Sequence, residues 1–149
     1  MATTVSKTRF TCKIVESITI NEQPQQVITM LNIPNVTDYS HRIMSVATSA
    51  TVLLTLAAAD AGGTVDKARM QYVRLTNLDD TNNIQLTFTL TSDTDTYEVV
   101  LGPKKSHMLT HKQGDTTTGG AASTLEDLVS IKGKASTAAC DLEIYTVST

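Results

Sequence analysis

Eight consecutive residues, Ile84 to Thr91, alternate strictly between large apolar side chains and threonine or glutamine. Successive side chains of a β-strand point to opposite sides, so in IQLTFTLT the residues Ile84, Leu86, Phe88 and Leu90 share one face and Gln85, Thr87, Thr89 and Thr91 the other. A helix would scatter both sets around its axis. The segment is a half-buried strand with a polar ladder outside, and its period of two organises the rest of the chain.

The preceding run MQYVRLTN places Val73 and Leu75 on one face and Tyr72, Arg74 and Thr76 on the other. The turn LDDTNN, rich in Asp and Asn, joins it to the strand at Ile84, so the two runs read as a hairpin. After SDTD, the run TYEVVLG turns Tyr97, Val99 and Leu101 inward, and Gly102 and Pro103 break it before SHMLTH. Four consecutive strands are expected to form a meander.

The flanks carry the same signal. RFTCKIVESITI holds Phe10, Cys12, Ile14 and Ile18 on one parity, and CDLEIYTV holds Cys140, Leu142 and Ile144 against Asp141, Glu143 and Tyr145, which places both ends of the chain in sheets. QQVITMLNI and RIMSVAT are further strands. TVLLTLAA has helix-forming Leu and Ala, but Val52, Leu54 and Leu56 alternate with Leu53 and Thr55, and Gly62 and Gly63 close the segment, so it too reads as strand. Gln113 to Thr124 (QGDTTTGGAAST) is a long polar loop, and Leu125, Leu128 and Ile131 after it have the spacing of one helical turn leading into a strand. About eight short, mainly antiparallel strands in 149 residues predict a single all-β domain, a two-sheet β-sandwich or jelly roll, with a short basic N-terminal arm at about residues 1–8. Threonine supplies about one residue in six and charged residues only 18%, as suits the solvent face of a pleated sheet.

The same composition excludes several functions. A net charge of −3 disfavours nucleic acid, whose binding rests on phosphate neutralisation. Lys7, Arg9 and Lys13 all precede the first acidic residue, Glu16, so the start of the chain is locally basic and reads as a solvated terminal arm, with docking on an acidic neighbour as the alternative. The start lacks the apolar core of a secretory signal, and the apolar stretch Val46 to Ala59 is too short and too rich in Ser and Thr to span a bilayer. Cys12 and Cys140 lie near opposite ends of the chain and would pair only if the first and last strands were neighbours; two buried free thiols are expected.

No catalytic, cofactor or metal site is expected. No GxSxG elbow is present, and neither cysteine has a histidine beside it. His107 and His111 have the spacing of zinc ligands on a helix, but they fall in a predicted strand and read as exposed residues beside Lys104, Lys105 and Lys112. Asp79, Asp80, Asn82 and Asn83, with Asp93 and Asp95, suggest calcium by type, yet the strand between the two turns holds them apart, and turn formation accounts for them. Gly62-Gly63 and Gly119-Gly120 lack a phosphate-binding lysine pattern. With no Trp, two Phe and four Tyr, the chain is poor in stacking platforms for sugars or bases.

The succession TVLLTLAAADAGGTVDKARMQYVRLTNLDDTNNIQLTFT, then YEVVLGPKKSHMLTH, then ASTAACDLEIYTV resembles small β-sandwich virion proteins of tailed bacteriophages. The residues that carry the resemblance are Arg74, Thr76 and Asn77, the turn Asp79 to Asn83, Gly102-Pro103 and the acidic closing strand Asp141 to Val147. It implies a virion structural protein assembled in the host cytoplasm: a capsid decoration or cement protein, or else a neck or tail component. Its partners would be the major capsid protein, other virion proteins and further copies of itself as a homo-oligomer, with no membrane or nucleic acid. A glycan- or receptor-binding module is the competing expectation. The contact elements expected are Lys7 and Arg9 in the basic arm and Asp115, Thr116, Thr117 and Thr118 in the polar loop.

Overall fold

The computed structural model describes residues 5–58, 64–91, 95–114 and 125–149. These residues form strands and turns, with no helix among them. In chain order the strands are β1 (Thr8–Ile20), β2 (Gln23–Val36), β3 (Asp38–Val46), β4 (Thr51–Ala57), β5 (Val65–Asp66), β6 (Met70–Asn77), β7 (Ile84–Leu90), β8 (Thr96–Leu101), β9 (Ser106–Leu109), β10 (Gln113–Gly114), β11 (Glu126–Ala135) and β12 (Cys140–Ser148).

Two sheets form a β-sandwich. One runs β5-β4-β11-β7-β8, with β10 on the end of β11; the other runs β3-β12-β6-β9. All neighbours are antiparallel except β4 and β5. The inward parity of the central alternating run makes the core: Ile84, Leu86, Phe88 and Leu90 are buried against Leu75, Val73, Leu142 and Ile144 of the facing sheet.

The expected meander does not form. β6 pairs with β12 and β9, while β7 pairs with β11 and β8, so the turn after Asn77 carries the chain from one sheet to the other instead of closing a hairpin. Alternation reports only that a strand has one buried face, and strands on opposite sides of one core carry the same pattern. Gly102-Pro103 makes the return crossing, from β8 to β9. Pro103 stands at the second position and Lys104, at φ 56°, at the third of a turn closed by the Lys105 amide donating to the Gly102 carbonyl, which is type II chemistry. The segment Glu126–Ala135 is strand throughout, since pairing on both edges outweighs its helical spacing. TVLLTLA is strand, as expected.

β11 is the central strand of its sheet, and Gly133 makes room there for Leu53 of the neighbouring β4 and Val46 of the opposite sheet. A Cβ there would stand 2.8 Å from Leu53 Cδ1 and 3.2 Å from Val46 Cγ1, both on fully buried side chains. Gly133→Ala is therefore expected to destabilise the fold by about 1–3 kcal/mol through overpacking, read as a lower urea midpoint at unchanged slope.

His107 is not an exposed strand-end residue. Even register on β9 turns it inward, its ring 5.5 Å from that of Phe88, with Nε2 buried and without a hydrogen-bond partner. Burial lowers its pKa from the ordinary 6.5. The unfolded chain then binds the proton more tightly than the folded one, so stability falls as pH drops below 6.5 and levels off once the folded form is protonated too. The melting temperature of the native chain should decline through that window, and His107→Phe should remove that part of the decline.

Candidate protein-interaction site

β1 and β2 form a sheet of their own, outside the sandwich. They pair from Thr8 opposite Val36 to Ile20 opposite Gln23, which makes a hairpin roughly 40 Å long. Asn21 and Glu22 both have positive φ, as a two-residue type I′ turn requires. At the root, Arg9 on β1 is opposed by Pro34 and Asn35 on β2, a bulge with Asn35 at φ 59°. A proline is tolerated at a bulge, and the added residue bends the strand. The chain continues through Thr37, whose amide donates to the Ser148 carbonyl, straight into β3.

The root is anchored by a second, smaller core. Phe10 and Cys12 from β1 and Leu31 and Ile33 from β2 lie on the outer face of the β12–β6 layer, against Tyr72, Tyr145 and Val147. Ring centroids are 5.0 Å apart for Phe10 and Tyr72 and 5.8 Å for Phe10 and Tyr145. Tyr39 and His41 of β3 extend the cluster, at 6.4 and 5.6 Å from Tyr145. Alternation assigns Tyr72 to the outward face, and that is correct, but the arm covers it and leaves it 2% exposed. Burial, with a side-chain contact to Cys12, pushes the Tyr72 hydroxyl up to about 12.

Beside the root runs a polar chain on the same outer face. Glu143 bridges Arg74 at 2.7 Å and His41 at 2.8 Å, while Arg74 also donates to Thr76, which shares a hydrogen bond with Ser106. The hydrogen bond from His41 and the Arg74 guanidinium hold the Glu143 carboxyl below its ordinary pKa. The chain fixes the orientation of the face on which the arm sits.

Beyond the root the arm is apolar on both sides. Ile14, Ile18 and Ile20 share one face with Val27, while Val15 shares the other with Ile28 and Met30. Val15, Ile18, Ile20, Val27, Ile28 and Met30 are each about half exposed or more. Large aliphatics gathered on one element in this way mark an interaction surface.

Lys7 and Arg9 are both exposed, Lys7 just before β1 and Arg9 within it at the bulge, and residues 1–4 of the expected arm lie outside the described residues. Lys13 lies further along β1, opposite Met30. Asp115, Thr116, Thr117 and Thr118 lie outside the described residues. The polar stretch expected from Gln113 begins instead with a short strand, β10, paired to β11. The part of the site that sequence reasoning missed is the distal arm. Its signal is present: between Ile14 and Met30 the aliphatics fall on both parities, with an Asn-Glu pair between the two runs.

Cys12 is half-buried and Cys140 buried, and both are free; they sit in separate clusters. Asp79 is occupied by its own turn, its carboxylate accepting from the amides of Asn82 and Thr81, which lowers its pKa. Among the described residues no group of three or more His, Cys, Asp or Glu is arranged to hold a metal ion. No protein-family model, curated protein or solved structure matches the chain.

Proposed function

We propose that this chain is a structural subunit of a bacteriophage virion, a decoration or cement protein that stabilises the head through protein–protein contacts. The observation that carries this reading is the β1–β2 arm, with six large aliphatics exposed on a hairpin anchored at its root. An isolated two-stranded hairpin is marginal in water, so an arm of this length gains its stability from what it docks on. The rigid sandwich supplies the platform, and the Thr-rich, charge-poor strands are consistent with a protein that works by shape and multiplicity. The resemblance of Arg74 to Asn83, Gly102-Pro103 and Asp141 to Val147 to phage virion sandwiches supplies the particle.

Particles banded on a density gradient from an infected culture carrying this reading frame are expected to contain the chain in many copies, at a fixed ratio to the major capsid protein by mass spectrometry. Recovery only from the particle-free fraction would overturn the proposal.

A further inference from the structure

The two outer edges of the arm are not equivalent. β1 carries Arg9, Lys13 and Glu16, whereas the fourteen residues of β2, QPQQVITMLNIPNV, include no charged side chain. Exposed edges in folded proteins are guarded against strand pairing by charge, by bulges or by brevity. Most other edge strands among the described residues obey that rule: β3 has Asp38 and Arg42, β8 has Glu98, β5 has Asp66, and β9 and β10 have four and two residues, while β4 is uncharged but half as long as β2 and is paired by β5 at Leu56 and Ala57. β2 has prolines near its two ends, and between Gln25 and Leu31 it has no charge, proline or register shift. Its VITML run joins high β-propensity to zero charge, the pattern of a segment that pairs when exposed.

We propose that β2 is an assembly edge whose occupant is β2 of a second copy of this chain, giving a four-stranded antiparallel sheet in the order β1-β2-β2′-β1′ across a two-fold axis. Self-pairing sets no charge against a like charge, because β2 has none to oppose. It covers both unguarded edges at once, as an isologous contact does. It also turns two marginal hairpins into a sheet with enough strands to be stable. On each face the exposed aliphatics of one arm, Ile28 and Met30 or Val27, come beside those of the other. This inference rests on the assembly role proposed above and names the first contact in it.

Val15 and Ile28 face each other across the hairpin and are equally exposed, at 48% and 49%. They supply a matched pair of variants. The full native chain is expected to be a dimer by light scattering. Ile28→Lys, which sets two ammonium groups near the axis, should weaken the dimer roughly ten-fold or more, while Val15→Lys, one strand away from the new edge, should leave it largely in place. Amide exchange in residues 25–32 should slow as protein concentration rises, with residues 11–18 unchanged. A thermal melt of each variant checks that the sandwich is intact. A native chain that stays monomeric at all concentrations overturns the second copy as occupant, and equal weakening by both variants overturns the edge geometry. Neither result bears on recovery of the chain in particles, and a dimer that is never found in particles overturns only the virion role.

Discussion

Replacing Phe88 by alanine is expected to lower the free energy of unfolding by roughly 3–5 kcal/mol, a third or more of what a domain of this size ordinarily has. Phe88 is completely buried at the middle of β7, and its ring stacks on that of its cross-strand partner Tyr97 at 4.6 Å and 5° between planes. On its other side lies His107 of the opposite sheet. The ring thus spans the interior from one layer to the other. Alanine leaves a void that neighbours held by two ladders on rigid strands cannot close. Phe88→Leu keeps most of the volume and should cost less than half as much. The check is a denaturant titration of both variants, with the near-ultraviolet dichroism of Tyr97 as a local reporter. A cost for alanine near 1 kcal/mol would mean that the layers collapse around the gap.

The burial of Phe88 is legible in the sequence, because the alternation that places its ring inside is a property of the chain. The same applies to β7, β8 and β12, each of whose inward parity follows directly from the sequence, but not to β11, where register shifts put the buried Leu128 and Ile131 on opposite parities. Which sheet a strand joins is not legible there. β6 and β7 alternate alike and are adjacent in the chain, yet Asn77 ends one in the sheet of β3, β12 and β9 and Ile84 begins the other in the sheet of β4, β11 and β8. The connecting turn is tied by the Asn77 side chain to the carbonyls of Leu101 and Gly102, which are remote in sequence.

The arm is hidden for a related reason. Aliphatics on both faces of a strand usually indicate burial between two layers, and here they stand about half exposed or more. Local pattern therefore identifies the strands of the arm and conceals their exposure. The root is different again. Phe10, Tyr72 and Tyr145 are three of only six aromatic residues in the chain, and their convergence depends on β12 and β6 being neighbours, which the expected meander does not include.

Asn77→Ala is expected to cost about 3 kcal/mol, comparable to a large core truncation even though it removes only a small polar side chain. Asn77 is fully buried. Its amide nitrogen donates to the Asn82 carbonyl at 2.8 Å and lies 3.2 Å from those of Leu101 and Gly102, and its oxygen accepts from the Asp79 amide at 3.0 Å. One side chain thus ties the outgoing crossing after β6 to the return crossing after β8, and Lys104 closes the same junction by donating from its own amide to Asp79 and from Nζ to Leu78. Alanine removes the side-chain partner of the Asn82 carbonyl and of the Asp79 amide, while the Gly102 carbonyl keeps the Lys105 amide, and each group orphaned away from water costs on the order of 1–3 kcal/mol. Asn77→Asp separates shape from hydrogen bonding: it keeps the size and the acceptor but points an anion at the carbonyl oxygens that the amide served, so at neutral pH it should be at least as damaging as alanine. If aspartate were tolerated, or alanine cost under 1 kcal/mol, water would be filling the junction, and the two crossings would be held by their own backbones. If both substitutions are severe, a buried amide sets the topology that alternation alone leaves open, because it is the group that lets β6 and β7 part into separate sheets.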